Sequence, residues 1–142
     1  MKNIFENLKS IAFAITIAIL LPITMHLGIQ LINPYPSYSP LPKSEAKELR
    51  KQHQAEHRVQ VQHYNQRYFY SALIIGIIAF IAGAFFPIDF IGAGLIIGAL
   101  ECFVVGYLHY WDKLNELVKF LSMLGVFLLV FIISYLVAKK RT

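Results

Sequence analysis

Glu101 is the residue in this sequence best placed to do chemistry. It stands in the middle of an otherwise apolar run, residues 90–110. A charged carboxylate at the centre of a bilayer costs ~2.5–3.5 kcal/mol on insertion scales, so such a group faces protein or a water-filled cavity, or carries a proton. The functional reading is a proton or cation site, or the lining of a pore. The structural reading, which leads, is a protonated acid that hydrogen-bonds a neighbouring helix and serves packing or oligomerisation. A second constellation lies in the polar part of the chain. His53, Glu56 and His57 spell H-x-x-E-H, the zinc motif of one metalloprotease class. Helical spacing puts both imidazoles on one face. There is no clear third ligand, and a chain this short has no room for a catalytic domain. A solvated polar face is therefore the expected role. Metal capture by His53 and His57 is the lesser alternative, and a metal-binding membrane enzyme the remote one.

The other reactive side chains are distributed unevenly. Tyr35, Tyr38, Tyr64, Tyr68, Tyr70, Tyr107, Tyr110 and Trp111 gather toward one end of the expected helices, and only Tyr135 falls toward the other. All five histidines, His26, His53, His57, His63 and His109, share the tyrosine-rich end. An interfacial aromatic belt accounts for most of the tyrosines. The functional reading of the same crowd is a binding or pH-responsive surface, because histidine titrates near neutrality. Cys102 is the single cysteine, so an intrachain disulfide is impossible, and its apolar surroundings suit an inert small residue. The sequence has no Gly-rich phosphate loop, nucleophile elbow or zinc-type cysteine pair. No catalysis and no cofactor are expected.

The elements that carry these residues follow from hydropathy. Of 142 residues, 57% are hydrophobic and 15% charged, against about a quarter charged in a soluble domain. Four apolar runs, residues 11–32, 69–86, 90–110 and 117–138, each approach the ~20 residues that a helix needs to cross ~30 Å of hydrocarbon. Backbone groups in lipid must be bonded internally, which leaves helices as the sensible reading. The fold expected is all-α: an integral membrane four-helix bundle in one domain, with a long polar extramembrane extension of the second transmembrane helix. Residues 1–10 form an N-terminal flank and 139–142 a basic tail. The first run is too long for a signal-peptide core and has no A-x-A site after it, so it is expected to stay uncleaved. Pro22 should kink it, and Asp89 should cap the third helix after a turn at 87–89. The formal charge of +5 points to anionic headgroups and topology rather than to nucleic acid.

Residues 44–67 are polar and free of Gly and Pro. With Ser44 as cap and Glu45 and Glu48 in the first turn, they read as the outer half of one helix continuous with the second span. That half rises ~36 Å. Residues 33–43, rich in Pro and Tyr, cover ~34 Å as polyproline II. The match suggests a strap laid back along the helix. A period of three puts Tyr35, Tyr38 and Leu41 on one edge, facing a helix stripe of Ala46, Leu49, His53, His57 and Tyr64. The alternatives are a helix lying flat on the headgroups or a disordered strap. Within the spans, Ala72, Gly76, Ala79 and Gly83 in span two face Gly94 and Gly98 in span three, and small residues let helices approach closely. A close hairpin of spans two and three is expected, with Glu101 near its seam and spans two to four as the compact unit.

Four crossings put both termini on one side. The total count of Lys and Arg favours the polar-helix side inside, but basic residues flank the start of span one closely, and the first helix usually decides orientation. The termini are therefore expected in the cytoplasm and the polar helix outside, in a prokaryotic plasma membrane.

From Arg67 onward the chain resembles an uncharacterised group of small prokaryotic four-span membrane proteins. The residues that carry the likeness are Tyr68-Phe69, Gly76 with Gly83, Ala93-Gly94-Leu95 with Gly98, Gly106-Tyr107, Tyr110-Trp111, Lys119-Phe120, and Tyr135 with Lys139-Lys140. The resemblance covers about half the chain and implies a four-span fold with no known activity. Ala99-Leu100-Glu101 and the Gly92-Ala-Gly94 step also resemble rotor proteolipids of rotary ATPases; the polar helix and strap fall outside that pattern. The function expected is a small membrane scaffold or accessory subunit that contacts the bilayer and a homo-oligomer or membrane-protein partner. The alternative is a cation or proton channel or transporter using Glu101.

Overall fold

The structure is a computed structural model describing residues 2–141; Met1, Thr142 and the side chains of Lys2, Lys140 and Arg141 lie outside the described residues, and with them most of the expected basic tail. The chain is helical: α1 (Lys2–Ile32), α2 (Lys47–Phe85), α3 (Asp89–Tyr110), a single 3-10 turn (Trp111–Lys113) and α4 (Glu116–Arg141). All four α-helices are long and apolar enough to cross a membrane.

Several boundaries differ from those expected, each for a local reason. α1 begins at Lys2 rather than residue 11, because nothing in the flank breaks a helix. α2 begins at Lys47 rather than Ser44. The Glu45 N–H donates to the Pro42 carbonyl at 3.1 Å, so a turn consumes the residues after Pro42. Ala46 then takes the N-cap with extended backbone and no side-chain cap. Asp89 is likewise not the cap of α3. Ile88 holds that position, and Asp89 is the first helical residue, where its charge meets the helix dipole instead. Past the turn, Lys119 lies 4.6 Å from the Trp111 ring centroid.

α3 is the centre of the molecule, flanked by α1 running parallel to it and α2 running antiparallel. Small residues set both contacts. A Cβ on Gly83 would lie 2.8 Å from the Gly92 carbonyl oxygen, and one on Gly92 would lie 2.6 Å from that of Gly83. Phe103 fills the space that a side chain at Gly76 would need. Gly94 and Gly98, expected to face α2, face α1: a Cβ on Gly94 would meet the Ala14 carbonyl at 2.8 Å, and one on Gly98 the Ala18 carbonyl at 3.1 Å. Pro22 deprives the Ala18 carbonyl of its helical N–H donor, and that oxygen lies against Gly98.

The compact unit is therefore α1–α2–α3, not spans two to four. α4 packs by its second half alone: Leu129, Val130, Ile133 and Val137 lie against Ala79, Phe80, Ile96 and Ala99. Its first half carries Leu117, Phe120 and Phe127 with more than 60% of each exposed. That stretch is as hydrophobic as the rest but has no small-residue stripe on which a neighbour could close.

Candidate functional site

The tyrosine- and histidine-rich end forms a connected cluster where α1, α2 and α3 meet the strap. Tyr68 is its centre and is fully buried. It stands at the point where α2 changes from polar to apolar, so its ring enters the packed interior while its hydroxyl needs a partner. His26 supplies that partner from α1, with Nδ1 2.8 Å from the Tyr68 hydroxyl. Gln30, one turn further along α1, places its amide nitrogen 3.0 Å from His26 Nε2. The His26 ring thus bridges the Gln30 amide and the Tyr68 hydroxyl through its two nitrogens. His109 of α3 stacks on the Tyr68 ring, with centroids 4.1 Å apart and planes 16° from parallel. Its Nδ1–H donates to the Val105 carbonyl at 2.9 Å, which fixes the ring's orientation.

Tyr64 extends the cluster toward the strap. Its ring is buried and lies 6.0 Å from Tyr68 on one side and 5.0 Å from Tyr35 on the other, the latter edge-to-face at 81°. Burial pushes the Tyr64 phenol above its ordinary value of 10.0; the neighbouring Tyr35 adds to the rise, and a hydrogen bond from Gln30 opposes it. Next along the strap, Tyr38 lies 5.7 Å from the His53 ring and 4.9 Å from that of His57. His53 Nε2–H donates to the Ser39 carbonyl at 3.0 Å. Tyr35, Tyr38, Tyr64, His53 and His57 are thus brought together. Leu41 sits beside Arg50 and His53. Leu49 and Ala46 are not part of this contact: both are exposed, Leu49 by 53%. Arg50, in the same turn, lines the strap groove with Tyr38 and Leu41 instead.

The remaining expected residues separate. Ala72 and Ala79 are buried. Ala72 lies against Gly106, and Ala79 packs with Phe80 and Ala99. Glu101 falls on the stripe of α3 that faces α1, one turn past Gly98, and not on the α2 seam. It is half-buried, and among the described residues it has no hydrogen-bond or ion-pair partner. No group of three or more His, Cys, Asp or Glu side chains able to hold a metal occurs among the described residues; His53 and His57 engage the strap, and Glu56 is exposed.

The sequence marks a histidine-rich end but does not join His26, Gln30, Tyr68 and His109. The contact spans 42 positions between His26 and Tyr68, and no local spacing encodes it. The usable signal was His26 and Gln30 one helical turn apart at the end of an apolar run, which requires a polar partner at that depth. Compared with known family models, curated proteins and solved structures, the chain has no match.

Proposed function

We propose that this chain is an integral membrane protein of four crossings that acts as a small scaffold or accessory subunit. It is homo-oligomeric or pairs with another membrane protein, and has no catalytic role of its own. The observation that carries this reading is the braced stalk. α2 is one helix of 39 residues, ~58 Å long at 1.5 Å per residue, and its outer half is polar. A polar helix alone is marginal in water. Here the strap makes it rigid through Tyr35, Tyr38 and the Ser39 carbonyl. A rigid arm fixed to a packed membrane unit suits the presentation of a binding surface at a set distance from the bilayer. Two features support association within the membrane: among the described residues the carboxyl of Glu101 has no partner, and the first half of α4 is unpacked.

The placement proposed is a prokaryotic plasma membrane with both termini cytoplasmic and the stalk outside, in keeping with Lys2 and Lys9 before the first span. The test is the mass of the particle in mild detergent by light scattering and native mass spectrometry. A discrete oligomer, or a stable complex with a membrane partner, is expected. A strictly monomeric, partnerless species across protein concentrations refutes the proposal. Reporter fusions at both termini and in the strap test the orientation.

Glu101 itself favours a second reading, a cation or proton path, because an unpartnered carboxyl in an apolar helix is a functional candidate by default. In liposomes this predicts flux that is lost in Glu101→Gln; no flux from wild type across a pH range excludes it.

A further inference from the structure

Two adjoining cavities at the junction of α1, α2 and the strap share one residue, Asn33, and differ sharply in chemistry. The first is an apolar groove of about 340 Å³ between α1 and α2, with Thr24, Met25, Gly28, Ile29 and Ile75 among its lining. Gly28 makes the notch, for a Cβ there would meet nothing within 4 Å. The second is a polar recess formed by Asn33, Pro34, Pro36, Gln60, His63, Tyr64 and Arg67. It contains a cation, Arg67, and no carboxylate. Asn33 lies where the two meet, and its Nδ2 is buried with no hydrogen-bond partner. Arg67 is exposed and immediately precedes the buried Tyr68 and Phe69, so it marks the level at which α2 leaves its apolar stretch.

We infer that this composite cavity is a binding site for one anionic glycerophospholipid. An acyl chain lies in the α1/α2 groove, and the headgroup phosphate sits in the recess under Arg67 and Asn33. The chemistry on each side selects this ligand. A phosphodiester accepts hydrogen bonds and carries negative charge. The recess offers the guanidinium fork of Arg67, the unpartnered amide donor of Asn33, and Gln60 and His63 beside them. The groove supplies shape rather than driving force, since any lipid chain fills an apolar notch at membrane depth. Discrimination rests with the headgroup, and the charge of Arg67 favours an anionic one over a zwitterionic one. The strap completes the site, because Pro34 and Pro36 form its outer wall, and the packing of Tyr35 on Tyr64 holds that wall in place.

The inference rests on the membrane placement proposed above but not on oligomerisation. If the purified protein stays folded and soluble with no detergent or lipid, the placement fails. If it needs the bilayer but shows no headgroup preference, the site alone fails.

The test uses the full chain in nanodiscs of phosphatidylglycerol and phosphatidylcholine with identical acyl chains. The lipid retained per chain is counted by native mass spectrometry after transfer to mild detergent. Wild type should retain phosphatidylglycerol with roughly fivefold preference, the scale of one interfacial basic residue acting on an anionic headgroup. Arg67→Gln should bring that preference to parity. Gly28→Leu places a side chain in the notch, denies the lipid its seat, and should lower retention of the anionic lipid to that of the zwitterionic one at unchanged helicity. Ser71→Leu obstructs the groove from the α2 side and serves as a second blocking variant should Gly28→Leu fail to fold. Soluble glycerol phosphate should not displace the bound lipid. Equal retention of the two lipids by wild type overturns the proposal. So does a wild-type preference in Arg67→Gln or in a folded groove-blocking variant, and so does displacement by glycerol phosphate, which would identify a free phosphate ester as the ligand.

Discussion

Substituting Gly92 by Ala tests the central packing of the fold against a signed expectation. In a helix this change alone is favourable, by up to ~1 kcal/mol, because Ala is the better helix former. The structure opposes it. The added Cβ would stand 2.6 Å from the Gly83 carbonyl oxygen, well inside the ordinary contact distance of 3.4 Å or more. The obstacle is backbone, so no rotamer change relieves it, and α2 and α3 must part by ~0.8 Å. Overpacking of this kind costs ~1–3 kcal/mol. The net expectation is destabilisation of ~0.5–2 kcal/mol. Gly125→Ala is the control. Gly125 lies on the exposed face of α4, where a Cβ meets nothing within 4 Å, so the propensity gain should appear unopposed. The assay is reversible unfolding in mixed micelles, following helicity and the aromatic signal. Gly92→Ala should shift the midpoint down and Gly125→Ala should leave it level or raise it. If both move up together, α2 and α3 do not cross at Gly83 and Gly92, and the reasoning from close approach is wrong.

Three further expectations follow. Tyr38→Ala removes the ring contacts to His53 and His57, each worth ~0.5–1.5 kcal/mol in aromatic pairs; amide exchange should speed up over residues 47–60 and stay unchanged over residues 90–110. The raised Tyr64 phenol means that the folded state holds its proton to higher pH than the unfolded chain. This contribution to stability is intact below pH 10 and is lost as pH rises through the folded value; the ultraviolet phenolate signal missing in Tyr64→Phe should belong to the latest-titrating part of the tyrosine curve, and an early-titrating signal refutes the burial argument. Finally, Tyr35→Ala and His26→Ala should be non-additive in a double-mutant cycle by ~0.5 kcal/mol or more, because Gln30 and Tyr64 connect the two residues, while Tyr38→Ala and His26→Ala, which share no partner, should add.

Some of this architecture was legible in the residues and some was not, and the difference is physical. The strap was legible because its reach and its period of three are properties of the local chain. They put Tyr35 and Tyr38 against the helix, where both rings lie. Leu49 shares a helical stripe with His53, yet Arg50 of the same turn lines the strap groove in its place. The glycines in α3 announced close packing but not the partner. Gly94 and Gly98 fit either neighbour by size, and nothing in their spacing selects α1 over α2. Hydropathy could not separate α4 from the other spans, since burial against protein and burial in lipid favour the same residues. The cluster around Tyr68 was only half visible, because its members share a depth along the helices rather than a spacing in the sequence.

That shared depth explains why the two ends of the molecule behave differently. At the stalk end every helix of the compact unit contributes a polar aromatic side chain: His26 from α1, Tyr68 from α2 and His109 from α3. Hydrogen bonds and stacking are directional, so they fix the three helices in one register where apolar packing alone tolerates sliding. Tyr64 then passes that constraint to the strap, and the strap passes it to the stalk. The stalk is in this way tied to the α1–α2–α3 unit by side chains as well as by the continuity of α2. At the opposite end the contacts are glycine crossings and the second half of α4, which supply closeness without direction. Glu101 lies between these regimes, on the α1-facing stripe and beyond the reach of the aromatic cluster. Its partner must come from outside the described chain or from its own proton, and for that reason the particle's oligomeric state and the fate of Glu101→Gln bear on the same question.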